Sequence, residues 1–247
     1  MPASQSFILS CDWGTSSFRL RLVRLQDQAV TGEVSSAEGI AVVFGRWSLQ
    51  KAAGRQDFYK EELRKHIRNL SARVRTSLEN IPLVISGMAS SSIGMTELPY
   101  AGVPFPLDGG KAVVQKLPPA GDFPHELFLV SGLRTQGDVM RGEETQVIGL
   151  MSHFGEKGAT SRFTEGAVFI FPGTHSKHIY LDRDEVRDFE TYMTGELFQL
   201  LANHSILKEA VDKGQGDRLR EADLKGFRRG VSHPEARNLL HTYSPSA

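Results

Sequence analysis

The sequence carries one pattern twice. Residues 7–25 read FILSCDWGTSSFRLRLVRL: an apolar run from Phe7 to Leu9 leads to a polar Gly/Thr/Ser turn, after which Phe18, Leu20 and Leu22 alternate with Arg19, Arg21 and Arg24. Alternation with a period of two is strand geometry, so the segment reads as a buried strand, a turn and a half-buried return strand. Beginning 160 positions later, Ala167-Val168-Phe169-Ile170-Phe171 runs into Pro172-Gly173-Thr174-His175 and a return strand from Ser176 to Leu181. Two hairpins of one design, each with a glycine and hydroxyls at its tip, point to two related lobes. No short-period repeat or low-complexity tract competes with that reading.

The remaining chain alternates strands and helices. The apolar patch Ile40 to Phe44 is expected to add a strand to the first hairpin. Asp57 is expected to cap an amphipathic helix with Phe58, Leu63, Ile67, Leu70, Val74 and Leu78 on its apolar face, ending near Asn80. Pro82 opens a short buried strand, Leu83 to Ser86, and Leu127 to Ser131 reads as another. Residues 139–154 read as helix, Val186 to Thr191 as a strand, and Thr194 starts a helix with Leu197, Leu200 and Leu201 on one face. Pro99 to Pro124 is rich in Pro and Gly and reads as an irregular excursion, and Gly155 to Gly166 as a polar spacer. The alternation implies an α/β protein.

Composition removes several classes of function. Of 247 residues, 40% are apolar and 23% charged, the balance of an ordinary globular chain. Twenty-nine basic side chains against 29 acidic ones leave a net charge of zero, which argues against nucleic-acid binding. No apolar run approaches the roughly 18–20 residues that span a bilayer. Met1 to Ser6 lacks a basic, then apolar, leader pattern. A single cysteine, Cys11, rules out a disulfide within the chain and suits a reducing compartment, so the expected location is cytoplasmic.

Four segments can carry chemistry. Asp12-Trp13-Gly14-Thr15-Ser16-Ser17 offers successive amides and three hydroxyls suited to phosphoryl oxygens, and Asp12, leaving a buried strand, can hold Mg²⁺. A plain hairpin turn explains the same residues about as well, although a six-residue polar turn exceeds what a hairpin needs. Gly173, Thr174, His175 and Lys177 make a second cradle for phosphate or carboxylate, against a simple turn with a surface histidine and a solvated lysine. His175 and His178 would point to opposite faces of a strand, which argues against a metal pair. Asp138-Val139-Met140-Arg141-Gly142-Glu143-Glu144-Thr145-Gln146 concentrates charge at the start of a helix, where carboxylates satisfy the exposed amides and the helix dipole. One glutamate of the pair can instead serve as general base or hold a metal-bound water, and Arg141 can pair with Glu144 or clamp an anionic substrate. Ser86, Gly87 and Met88 begin a small-residue turn at a strand's C-terminal end, where α/β proteins bind ligands, although a flexible loop is a slightly better account. The chain contains no P-loop, GxGxxG, GxSxG, HExxH or CxxC pattern.

Taken together, DWGTSSFRL, SGMASSSIG, MRGEETQVIG, FPGTHSKHI and TYMTGELFQLLANHSIL, in this order, resemble the 2-dehydro-3-deoxygalactonokinase (2-keto-3-deoxygalactonate kinase) family of the sugar kinase/Hsp70/actin superfamily. The resemblance runs from Phe7 to Leu207 and more weakly from Phe227 to Leu240. It implies an α/β, two-lobed, ribonuclease H-like fold whose lobes, each a mixed five-stranded sheet with helices, close over Mg·ATP and a sugar acid. It further implies transfer of the ATP γ-phosphoryl group to the 6-hydroxyl of 2-dehydro-3-deoxy-D-galactonate, in galactonate catabolism. Residues 1–138 would form the N-terminal lobe, with the first phosphate turn and the sugar-acid site; residues 139–247 would form the C-terminal lobe. By resemblance Asp12, Gly14, Thr15 and Ser16 match the first phosphate motif, and Gly173, Thr174 and His175 the second. Glu144 is the favoured catalytic carboxylate, with Glu143 as fallback, and Asp12 is the metal residue. Ser86, Gly87, Met88, Arg141 and Lys177 are the expected substrate contacts.

The wider superfamily begins its second turn with Asp, where this chain has Phe171-Pro172. The family also continues beyond the point that corresponds to Ala247, with helices and a Gly-rich segment over the adenosine, so the second lobe is expected to be incomplete at its C-terminus. Two readings follow: a sugar-acid kinase, as a monomer or homodimer, or a non-catalytic sugar-acid-binding homologue or kinase fragment.

Overall fold

A computed structural model describes residues 6–50, 54–156, 166–209, 211 and 221–233. The spacer assigned to Gly155–Gly166 and the last part of the resemblance, beyond residue 233, lie mostly outside these described residues.

In chain order the first elements are β1 (Phe7–Trp13), β2 (Phe18–Arg24), β3 (Val30–Ser36), α1 (Ile40–Gln50), α2 (Arg55–Val74) and β4 (Leu83–Gly87). Short strands follow: β5 (Ala101–Gly102), β6 (Phe105–Pro106), β7 (Val114–Leu117), β8 (Leu127–Val130), β9 (Leu133–Arg134) and β10 (Val139–Met140). The rest is α3 (Glu143–Glu156), β11 (Ala167–Phe171), β12 (Ser176–Asp182), β13 (Glu185–Tyr192), α4 (Thr194–His204) and α5 (Glu221–Val231). The chain is α/β, as its alternation implies.

The first sheet runs β3-β2-β1-β4-β8-β7. Strands β1, β4 and β8 are parallel, and the other pairings are antiparallel. This sheet has six strands rather than five because β7 adds itself to one edge. Leu9, Cys11 and Trp13 face the same side as Phe18, Leu20 and Leu22, and α1 and α2 close that side with Ile40, Val43, Tyr59, Leu63, Ile67 and Leu70. The second sheet runs β11-β12-β13-β6, all antiparallel, and its buried face meets Val147 and Met151 of α3. A small third sheet, β10-β9-β5, completes the set.

Several expectations change. Ile40 to Phe44 does not extend the hairpin: it opens α1, and the third strand is the polar segment Val30–Ser36. A short unbroken apolar run has no period to tell helix from strand, and an edge strand with little burial needs no apolar alternation. The second helix begins after Gly54, which has no side-chain cap bond; Asp57 lies in its first turn. The helix ends at Val74, where Arg75 takes the left-handed conformation (φ 55°) and its N–H bonds the carbonyl of Ser71. Val139 and Met140 form a strand, so the third helix starts at Glu143. The stretch Pro99 to Pro124 gives one strand to each sheet. These strands are two to four residues long, too short for a visible period, and Pro106 lacks an N–H and sits on an edge strand.

The duplicated hairpin survives as a duplicated unit. Each half is three antiparallel strands followed by a helix, with a register shift late in the middle strand, between Leu22 and Val23 or between Tyr180 and Leu181. The helix start packs under the turn in both. The amides of Ile40 and Ala41 donate to the carbonyls of Gly14 and Thr15, and the amide of Glu196 donates to that of Thr174. By compactness the chain divides into Met1–Phe198 and Gln199–Ala247. The first unit holds both hydrophobic clusters, and the second of these draws in Ala101, Phe105 and Leu107. In the second unit, α5 presents Leu224, Phe227 and Val231 to solvent.

Candidate active site

The ends of β1 and β4 set the first part of the site. Asp12 lies in register with Ser86 of β4 on one side and Arg19 of β2 on the other, so the three side chains share the sheet face opposite the Trp13–Phe18 core. Beyond Asp12 the chain turns through Gly14, whose N–H bonds the carbonyl of Ser17. Thr15, Ser16 and Ser17 are exposed. Among the described residues neither the Asp12 carboxylate nor the Thr15, Ser16 and Ser17 hydroxyls have a hydrogen-bond or ion-pair partner. A half-buried carboxylate without a partner beside open hydroxyls fits a divalent cation carrying phosphoryl oxygens.

Glycine allows the second part to approach. Gly87 has φ +89°, and a methyl there would sit 2.7 Å from the Trp13 carbonyl oxygen. Gly142, with φ +109°, lies against it: a methyl on Gly142 would be 3.3 Å from the Gly87 Cα. The positive φ at both positions favours glycine, and the close approach brings the start of α3 up to the end of β4.

Both glutamates fold back onto the backbone ahead of α3. Glu143 accepts a bond from the Arg141 amide at 3.1 Å, and Glu144 accepts from the Gly142 amide through both oxygens, at 2.9 and 2.8 Å. Glu144 is only 3% exposed, and its burial, then the charge of Glu143, pushes its carboxyl up to about 8. Glu143 is also raised by burial, though the Arg141 amide and the Lys177 ammonium oppose the shift while Asp12 adds to it.

The other expected residues have defined places. Arg141 donates to the carbonyl and hydroxyl of Ser90, both at 2.6 Å, and to the Leu98 carbonyl at 3.4 Å, and its guanidinium lies 4.0 Å from the Tyr100 ring centroid. It ties the strand before α3 to the loop after β4. Met88 packs its side chain on the first core cluster. Lys177 is buried among protein acceptors. Gly173, Thr174 and His175 are exposed at the second turn, with His175 Nε2 2.5 Å from Glu196 Oε2. The structure thus gathers Asp12, Ser86, Gly87, Glu143, Glu144 and Lys177, while the second turn is held mainly by the start of α4.

The sequence alone does not single out Arg19, Thr191 or Glu196, and it offers Asp138 only as the first residue of a charged helix start. Arg19 was within reach, because a four-residue turn after Trp13 pairs Asp12 with Arg19. Asp138, Thr191 and Glu196 are brought in by tertiary contacts between distant segments.

The sequence profile of the family described as 2-keto-3-deoxy-galactonokinase matches residues 12–243. A protein of Rhizobium meliloti (strain 1021) assigned as a 2-dehydro-3-deoxygalactonokinase is 36% identical over 209 residues, 83% of this chain and 59% of its own. The 2-dehydro-3-deoxygalactonokinase of Escherichia coli (strain K12) is 32% identical over 160 residues, 63% of this chain and 49% of its own. The chain therefore spans about half to three fifths of the length of these curated relatives. A crystal structure of a Sinorhizobium meliloti protein assigned to the same activity superposes with a TM-score of 0.70 at 32% identity, covering 95% of this chain and 70% of that one.

Proposed function

Because the chain belongs to the 2-keto-3-deoxy-galactonokinase family, we propose that it is an ATP-dependent sugar-acid kinase, transferring the γ-phosphoryl group to the 6-hydroxyl of 2-dehydro-3-deoxy-D-galactonate in galactonate catabolism. The observation that carries this reading is the unpartnered Asp12 carboxylate at the Gly14-Thr15-Ser16 turn, in register with Ser86 and within the field of Glu143. Phosphoryl transfer asks for positioning, charge neutralisation and an acceptor for one hydroxyl proton, and no covalent nucleophile. Mg²⁺, when bound, supplies the neutralising charge on the phosphates.

The chain's own residues take the remaining roles. Asp12 holds the metal directly or through water. The Gly14-Thr15-Ser16 turn and the Gly173-Thr174-His175 turn receive the nucleotide phosphates. Ser86, Gly87 and Met88 border the sugar acid, and Arg141 fixes that loop. Glu144 takes the proton of the attacking hydroxyl on its carboxylate, and Glu143 replaces it if Glu144 stays protonated throughout. The lobe boundary near residue 138, a cytoplasmic location and a homodimer belong to the same proposal; light scattering of the purified chain checks the dimer.

The test is ADP release from the 247-residue chain with Mg·ATP, with and without 2-dehydro-3-deoxygalactonate. The expected result is release that depends on the sugar acid. Sugar-acid binding without any ADP would leave a binding homologue or a kinase fragment. Asp12→Asn is expected to weaken the dependence on Mg²⁺, and an unchanged metal titration would remove Asp12 from the metal's shell.

A further inference from the structure

Lys177 occupies a core position. It pairs with Phe171 across the second hairpin as Phe18 pairs with Trp13 across the first, and both look into the buried face of their sheet. Phe18 fills that place with an aromatic ring packed edge-on against Trp13. Lys177 puts an ammonium there, 7% exposed and 5.8 Å from the Phe189 ring centroid. A charge in such a place persists only if the protein pairs it.

The pairing comes from three groups of the chain itself. Lys177 Nζ donates to the Val139 carbonyl at 2.6 Å and to the Thr191 hydroxyl, and lies 3.8 Å from Asp138 Oδ1. The Thr191 hydroxyl in turn donates a hydrogen bond to Asp138 Oδ1 at 2.8 Å, and the same oxygen accepts one from the Val139 amide at 2.7 Å. Hydrogen bonds to Val139 and Thr191 take two of the ammonium's three donors and the Asp138 carboxylate balances its charge at 3.8 Å, so the groups that hold this buried cation belong to the chain itself. The cluster joins three segments: the strand leaving the second turn, β13 through Thr191, and β10, whose Val139 stands four residues before Glu143.

We infer that Lys177 is a positioning residue, not a substrate ligand: it clamps β10 to β12, so that the acidic pair at the start of α3 and the Gly173-Thr174-His175 turn are held in one fixed relation. The kinetic part of this inference rests on the kinase reading, and the structural part does not.

The test compares the wild-type chain with Lys177→Met and Thr191→Val, reading kcat, both KM values and amide hydrogen exchange. A positioning role lowers kcat about 10- to 100-fold in Lys177→Met, since small misplacements of reacting groups cost that much, with both KM values within about twofold. It also speeds exchange at Val139 to Gly142. Thr191→Val keeps the ammonium and loses both hydrogen bonds of the hydroxyl, so it shows the same pattern more weakly, and it decides the matter if Lys177→Met does not fold. A raised KM for either substrate at unchanged kcat, or unaltered exchange over 139–142 in both variants, overturns the inference. If the wild-type chain releases no ADP, the kinase reading fails, and the exchange arm alone judges the clamp.

Discussion

Glu144 is the residue at which burial and chemistry meet. Desolvation holds its carboxyl at about 8, so near neutral pH most molecules carry it protonated, and a base at this position works better as pH rises. We expect turnover to climb through pH 8, and Glu144→Gln to lose it by about 10²- to 10⁴-fold while binding of the sugar acid, measured by calorimetry, stays intact. Normal turnover in Glu144→Gln with loss in Glu143→Gln would move the role to its neighbour. The same shift makes a statement about stability. The folded state binds the extra proton between the ordinary 4.5 and about 8, so Glu144's contribution is full below that window and is lost as pH rises through it. Glu144→Gln should therefore gain in Tm relative to the wild type from pH 5 to pH 9; parallel melting curves across that range would mean the carboxyl is not so displaced. Which glutamate is buried was not legible in the sequence, since both sit in one helical turn and enclosure depends on what the fold packs against the start of α3.

Elements explain why the two turns look alike. In each half a glycine at the start of a helix presses on the backbone of the turn: a methyl on Gly39 would lie 2.3 Å from the Thr15 carbonyl, and one on Gly195 2.4 Å from that of Gly173. Either substitution must push the turn off its helix. Gly39→Ala and Gly195→Ala are each expected to cost about 1–3 kcal/mol by denaturant unfolding and to raise the KM for Mg·ATP. Gly149→Ala, in α3 with nothing within 4 Å, is the control and should be neutral or stabilising by up to about 1 kcal/mol. An effect at Gly149 equal to the others would detach the prediction from the turns. At this scale the sequence was a good guide to β1, β2, β11 and β12, where an apolar run, a glycine-bearing turn and a return strand follow one another locally, and a poor one to α1 and β3, whose burial depends on neighbours across the sheet.

At the scale of the molecule, the question is which ligands this chain holds. Ligands that bind the folded state alone raise its stability by about 2.7 kcal/mol at a hundred times Kd. Melting with the sugar acid, with Mg·ATP and with both together should show a rise for each and a larger one for the pair. A rise with the sugar acid and none with Mg·ATP would contradict the kinase reading.

The sequence by itself determined the duplicated hairpins, the α/β class and the candidate residues at each turn, because strand alternation and glycine-bearing turns are local properties of the chain. Tertiary structure alone decided the rest: that Gly87 and Gly142 meet, that Glu144 is enclosed, that Arg141 holds a loop and that Lys177 is buried with Thr191 and Asp138. Each of these depends on residues tens of positions apart coming within a few ångströms, and no local pattern encodes that distance.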